Sequence, residues 1–424
     1  MENLKILGLV MVMAIICLIL LMRLLKSKSM KKIILQTVLS CFLIFIPFLQ
    51  SCSNSKSVKF SVDDVQIVID IESAKSASLK FGNIQFIPLE TTDDCLISGT
   101  HKVMIKNEKI YVGDYKVMAL FVFDMNGKFI QKISRKGQGP QEYISFRDFD
   151  IHDNGDFYMF DMFGSKIVIY DSKGEFIKNI KFDYHFDSFC LRDNNIYLSK
   201  LLGKDTNSIA NLAVYDVLNE KTTILIDDKI FLYDIPISSS HSKFYQSANK
   251  IYYSPNFSPI IYSINSNGIK PEIGFRNLLI PPERLIESWL EEKDFKKQFE
   301  LITDNPYFLE NANIFETDKY IQFQYKAGRQ TKYILYNKRT KSTNEISPMA
   351  YYMTIGAIIS GSTGKDFFTV IDLNNGNRFN KRILESREEL KNWQTEDNPI
   401  IVIYDLDMDS PLPFSDESLP YPLW

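Results

Sequence analysis

Two stretches of the chain carry the same alternation of apolar and polar positions. Ile110–Ile133 reads IYVGDYKVMALFVFDMNGKFIQKI, and Phe157–Ile180 reads FYMFDMFGSKIVIYDSKGEFIKNI, in step at a shift of 47 residues. Each opens with an apolar strand that ends in aspartate (Asp114, Asp161). A short loop follows, then a second strand ending in aspartate (Asp124, Asp171), a glycine turn and a closing strand. The Asn126-Gly127 turn supplies the positive φ that a tight hairpin needs. A further strand precedes each unit: Val103–Ile105 leads through KNEK into the first, and Phe149–His152 leads through Asp153-Asn154-Gly155 into the second. Four short antiparallel strands per repeat, at a period of about 40–50 residues, predict the blades of a β-propeller.

Weaker copies extend the pattern. Phe189–Leu191, IYLSK and LAVYD form a third blade with an insert at Leu201–Asn211; Lys243–Ile273 forms a fourth and Asn313–Ile346 a fifth. The sixth is divided. AIIS (Ala357–Ser360) and DFFTVID (Asp366–Asp372) begin it, and IIVIYDL (Ile400–Leu406) is its third strand. The N-terminal IQFIPLE (Ile84–Glu90) supplies the fourth. Such a closure pairs the first and last strands of the domain and removes exposed sheet edges. The expected fold is therefore all-β, six four-stranded blades over residues 61–424. Pro281–Ile302, with apolar residues near helical spacing and a proline at its start, predicts a helical insertion between blades four and five.

Composition adds location. Ile6–Leu25 and Ile33–Leu49 are apolar runs separated by Lys26, Lys28, Lys31 and Lys32. From Met30 the chain reads as an export signal, with a charged start, a short apolar core and Leu49-Gln50-Ser51-Cys52. Residues 1–29 are then an extension upstream of the true start, 30–51 a signal peptide, and 52–60 a flexible tether. The competing reading is a hairpin of two membrane helices. Residues 1–51 hold six Lys/Arg and one acid, so the remainder carries 43 basic and 51 acidic residues, a net of about −8. That balance argues against nucleic acid as a partner. Cys95 and Cys190 are equally consistent with a disulfide and with two buried thiols, and no zinc-type spacing occurs.

The segment ISRKGQGPQEYISFRDFDI (Ile133–Ile151) carries G-x-G beside two cations. A phosphate loop requires a following helix N-terminus. Here Pro140 removes an amide and strand pattern follows, so the glycines are expected to let the chain turn between blades. The loops on that propeller face carry Tyr115, Lys116, Arg135, Lys136, Gln138, Glu142, Tyr143 and Phe163, a mixture able to bind a protein, peptide or glycan. The histidines are His101, His152, His185 and His241. His152, between Asp150 and Asp153, is the one place a divalent metal is conceivable, but the histidines do not recur at equivalent blade positions, so no cofactor is expected. The aspartates at the strand ends read as turn residues capping local amides.

The segment GQGPQEYISFRDFDIHDNGDFYMFDMFGSKIVIYDSKGEFI resembles an NHL-type repeat. FIPLETTDD, GQGPQEY and the Cys52 lipobox together resemble the six-bladed, NHL- or TolB-like β-propeller lipoproteins of Bacteroidetes. Gln141 departs from a G-x-G-P-G-E-Y pattern. The resemblance implies lipidation at Cys52 and an outer-membrane location, facing the periplasm or the cell surface, with a binding module as the function. It also admits an NHL-like lyase or hydrolase with a metal in the central channel.

Overall fold

The computed structural model describes residues 62, 65–203, 208–227, 242–247, 250–265, 268–372, 385, 387–394 and 396–408. The readings on the apolar runs, the signal peptide, Cys52 and His241 lie outside these residues. Among the described residues, no helix is long and apolar enough to cross a membrane.

Three N-terminal strands, β1 (Ile67–Asp70), β2 (Lys75–Ala77) and β3 (Phe81–Pro88), precede the first repeat. Blade 1 is β4 (Thr100–Lys106), β5 (Lys109–Asp114), β6 (Ala119–Asp124) and β7 (Phe129–Ile133). Blade 2 is β8 (Asp148–Ile151), β9 (Phe157–Asp161), β10 (Lys166–Tyr170) and β11 (Phe176–Lys181). Blade 3 is β12 (Ser188–Arg192), β13 (Asn195–Leu202), β14 (Ser208–Asp216) and β15 (Lys221–Ile226). Blade 4 holds β16 (Phe244–Ser247), β17 (Lys250–Tyr253), β18 (Ile260–Asn265) and β19 (Gly268–Arg276). Helices α1 (Glu283–Glu291) and α2 (Phe295–Thr303) follow. Blade 5 holds β20 (Phe308–Glu316), β21 (Tyr320–Ala327), β22 (Gln330–Asn337) and β23 (Thr343–Ile346), and helix α3 (Pro348–Ile355) follows it. Blade 6 is β24 (Gly361–Ser362), β25 (Phe367–Ile371), β26 (Ile400–Leu406) and the N-terminal β3.

The expected closure is present. β26 pairs antiparallel with β3, with Ile401 opposite Ile87 and Tyr404 opposite Ile84. Six apolar cores lie one at each junction between neighbouring blades. Tyr111 and Leu120 of blade 1 meet Phe157 and Val168 of blade 2, and Ile87 and Ile401 of blade 6 meet Val112 and Phe121 of blade 1. Each fully buried side chain of this size stabilises the fold by about 1.5–3 kcal/mol. Alternate residues of one strand face opposite junctions, so both faces of a blade are apolar and its strands read as nearly continuous apolar runs.

Five details differ from the sequence reading. β1 and β2 are additional outer strands, pairing in parallel with β19 of blade 4 and β23 of blade 5. The insert at Leu201–Asn211 is largely an extension of the β13–β14 hairpin, with Leu201 opposite Ala210. AIIS lies just ahead of the two-residue β24 rather than forming a strand. The helical insertion is two helices, broken where Asp294 caps α2 through its carboxylate and the Lys297 amide. Ile286, Trp289 and Ile302 pack with Phe257, in the loop between β17 and β18, and with Leu309, at the start of β20. α3 has no counterpart in the sequence reading.

Candidate functional site

The strand-end aspartates build the loop face of blades 1 and 2. Asp114 Oδ2 accepts the amides of Ser98 (2.6 Å) and Gly99 (3.0 Å), and Oδ1 accepts those of Lys116 (2.8 Å) and Val117 (3.2 Å). Its repeat equivalent Asp161 is fully buried. It accepts the amides of Ile144 (3.1 Å), Ser145 (3.0 Å) and Gly164 (3.1 Å) and the Ser145 hydroxyl (2.7 Å). Each carboxylate thus ties the loop entering a blade to the loop between that blade's second and third strands. Asp124 and Asp171 act more locally, each Oδ1 accepting two amides of its own glycine turn.

Tyr143 joins the two blades, but from the interior. It is fully buried, its hydroxyl donates to the Met118 carbonyl (2.7 Å), and it accepts the Arg135 amide (3.2 Å). Burial pushes its pKa up to about 12, so it stays a neutral phenol. The sequence grouped Tyr143 with the surface residues. The structure makes it the peg beneath them, because the loop folds its ring into the blade 1–blade 2 core. The G-x-G glycines also act differently from expectation. A Cβ on Gly137 would lie 2.0 Å from Glu142 Oε2, and the Gly139 amide donates to that same oxygen (2.8 Å). They make room for a carboxylate that consumes loop amides, and neither needs a positive φ.

Above this scaffold, Phe163 is 72% exposed and Tyr115 52%, with Leu96, Val117 and Ile144 also exposed. Lys116, Arg135, Lys136 and Gln138 are exposed beside them. The Lys116 ammonium donates to the Ser98 carbonyl (3.0 Å), and the cations share these loops with the carboxylates of Asp93, Asp94 and Glu142.

The second feature is the central channel, a cavity of about 570 Å³ lined by the first strand of every blade. Lys102 reaches from blade 1 to Asp148 of blade 2 (2.9 Å), and Lys106 pairs with Asp153 (2.7 Å). Asp150 is fully buried. Its carboxylate accepts the Leu191 amide of blade 3 (2.8 Å) and the Gln246 amide nitrogen of blade 4, so one side chain holds three blades at the axis. Burial pushes the Asp150 carboxyl above its ordinary range, although Lys102 and Lys106 pull the other way. Burial also opposes the charge of Lys102, but Asp148 and Asp150 outweigh it and its pKa rises. Burial, with Asp150 adding to it, raises the Cys190 thiol well above its ordinary value and disfavours the thiolate.

Both described cysteines are free and buried, which settles Cys95 and Cys190 as thiols. Among the described residues no group of three or more His, Cys, Asp or Glu side chains gathers as metal ligands. The two ring nitrogens of His152 contact Asn154 Oδ1 (2.8 Å) and the Asp193 carbonyl (3.1 Å). The channel residues Lys102, Lys106, Asp148 and Gln246 escaped the sequence reading, and so did Arg147, just before β8, and Arg192, at the end of β12. The one available signal was positional, since Arg147 stands in the second repeat where Thr100 stands in the first.

Residues 66–405 match the family model DUF4934, a domain of unknown function. No curated protein matches the chain. Among solved structures, a Bacteroides fragilis protein assigned to the exported class superposes with a TM-score of 0.65 at 18% identity, over 80% of this chain and 99% of that one. A member of the DUF4221 family from Bacteroides vulgatus gives 0.48 at 13% identity, over 78% and 99%. Virginiamycin B lyase from Staphylococcus aureus gives 0.35 at 14%, over 68% and 81%. At such identities the likeness concerns the fold alone, and the two scores below 0.5 carry no further argument.

Proposed function

We propose that this chain, which belongs to the DUF4934 family, is an extracytoplasmic binding module, held to a membrane by lipid at Cys52, that recruits an acidic protein segment through the loop face of blades 1 and 2. The observation that carries this reading is the exposure of Phe163 and Tyr115 beside Arg135 and Lys136, on loops pinned by buried carboxylates. Aromatic side chains and arginine are enriched in protein interfaces. A contiguous apolar group on an otherwise polar surface marks an interaction site. Arg135 and Lys136, adjacent and exposed in a chain whose remainder after residue 51 is net acidic, favour an acidic partner at this edge of the face. The exported class of the Bacteroides fragilis neighbour accords with placement outside the cytoplasm.

A photo-crosslinking residue at Phe163 in the full chain, expressed in its own cell envelope, tests this. One discrete adduct is expected. It should fall by about tenfold or more in the Arg135→Glu/Lys136→Glu variant, because like charges brought together cost several kcal/mol. Adducts that are unselective, or unchanged by the charge reversal, contradict the reading. Cys52→Ala in the same cells is expected to abolish fatty-acid labelling and leave the protein unprocessed, and continued labelling contradicts the lipid anchor.

A further inference from the structure

We infer that the central channel is a binding site for an anionic small molecule, one bearing carboxylate, sulfate or phosphate, recognised by the guanidinium groups of Arg147 and Arg192. The cavity volume of about 570 Å³ lies within the range of roughly 300–1,000 Å³ typical of small-molecule sites. Four Lys/Arg cations and five aspartates (Asp148, Asp153, Asp187, Asp193 and Asp372) line it, and the cations divide by chemistry. The two lysines are already neutralised, Lys102 by Asp148 and Lys106 by Asp153. Lys102 spends a further donor on the Phe149 carbonyl (2.7 Å), and Lys106 on that of Ile151 (2.7 Å).

The two arginines are different. Arg147 bonds through its backbone amide to the Phe160 carbonyl, and its guanidinium makes no hydrogen bond or ion pair among the described residues. Arg192 likewise has no ion pair among them, and its Nε is buried without a partner. Asp153 is close enough for Arg192 to help lower its pKa, but the contact of that carboxylate is with Lys106. A buried N–H left unpaired costs about 1–3 kcal/mol. An acceptor entering the channel removes that cost.

Arginine fits an anion better than the lysines could. The guanidinium keeps its charge at any ordinary pH and offers parallel N–H donors that match two oxygens of one carboxylate, sulfate or phosphate. Arg147 precedes the first strand of blade 2 and Arg192 ends the first strand of blade 3. At about 3.3 Å per residue they stand roughly 15 Å apart along the axis. A ligand engaging both therefore carries anionic groups at its two ends. Phe244 and Phe315, which also line the channel, supply apolar surface for its body. This inference does not depend on the loop-face reading, since it concerns other residues and another class of ligand.

Calorimetric titration of the detergent-solubilised full chain with three linear dianions long enough to reach both arginines, suberate, sebacate and dodecanedioate, at constant ionic strength in chloride, tests it. At least one of the three is expected to bind saturably at one site. Arg192→Gln and Arg147→Gln should each weaken that binding about 10- to 100-fold, the equivalent of a lost charged hydrogen bond, and Arg192→Lys should weaken it less. Failure of all three anions to bind saturably overturns the inference, and so does unchanged affinity in the glutamine variants. Should Arg192→Gln not fold, Arg147→Gln decides alone, because that guanidinium supports no contact among the described residues.

Discussion

Asn398→Ala is expected to lower the free energy of unfolding by about 3–6 kcal/mol, read from denaturant midpoints, because it strands several buried polar groups at once. Asn398 is fully buried just ahead of β26. Its Oδ1 accepts the Ile97 amide (2.8 Å), and its Nδ2 donates to the carbonyls of Glu90 (2.6 Å) and Cys95 (2.8 Å). Its backbone amide donates to Thr91 Oγ1 (2.9 Å). Alanine keeps only that last bond and strands the Ile97 amide and the Cys95 carbonyl, each worth about 1–3 kcal/mol, while the Glu90 carbonyl is left with the Cys95 thiol alone. The partners lie about 300 residues apart in sequence, so this side chain clips the loop that leaves β3 to the strand that closes the ring. A loss below about 1 kcal/mol would mean that water replaces these bonds and the clip is not buried.

Asp161→Ala is expected to cost about 3–5 kcal/mol, again through stranded buried donors, and to abolish the loop-face crosslink together with it. The substitution leaves the amides of Ile144, Ser145 and Gly164 without their acceptor, and it removes the partner of the Ser145 hydroxyl. The Lys166 ammonium, 3.9 Å away and mostly buried, loses its counter-charge as well. The contrast is with Asp171→Ala, whose carboxylate serves an exposed glycine turn, and whose loss should be far smaller and leave the crosslink intact. Equal effects of the two substitutions would contradict the division of labour between the two aspartates of each repeat.

The repeat was legible because blades 1 and 2 use the same devices at the same offsets. Asp114 and Asp161 pin loops, Asp124 and Asp171 cap turns, and Gly127 and Gly174 take φ of +79° and +85°. Ring closure was legible because Ile400–Leu406 mirrors the apolar run of β10, which marks it as a third strand, and Ile84–Glu90 stands ahead of the first repeat as the fourth. β1 and β2 were not legible. They pair in parallel with strands over 200 residues away, so no hairpin turn marks them, and Lys-Ser-Ala shows no apolar alternation. α3 is apolar on all sides, so it lacks the one-sided pattern by which surface helices are found. Its signals were at the ends, Pro348 in the first turn and Gly356 in the left-handed conformation after the last. The loop face was legible in outline. Its exposed aromatics and cations can be read from the loops, but the inward turn of Tyr143 depends on a tertiary bond to Met118. The channel arginines were illegible because pairing, which separates them from the lysines, is a property of the assembled ring.

The central claim is that one ring is closed by pairing β3 with β26. Gln85 and Ile403 stand opposite each other in that pair. Facing residues of an antiparallel pair have Cα atoms about 4.5–5.5 Å apart, within reach of a disulfide. In the Gln85→Cys/Ile403→Cys variant, mild oxidation of the folded chain should form this one intramolecular bond, identified by peptide mapping, with Cys95 and Cys190 protected by burial. Gln85→Cys with Thr369→Cys, one strand further in, should not cross-link. Absence of the engineered bond between the β3 and β26 positions under conditions where the chain is folded, or equal cross-linking of the control pair, would contradict the closed ring.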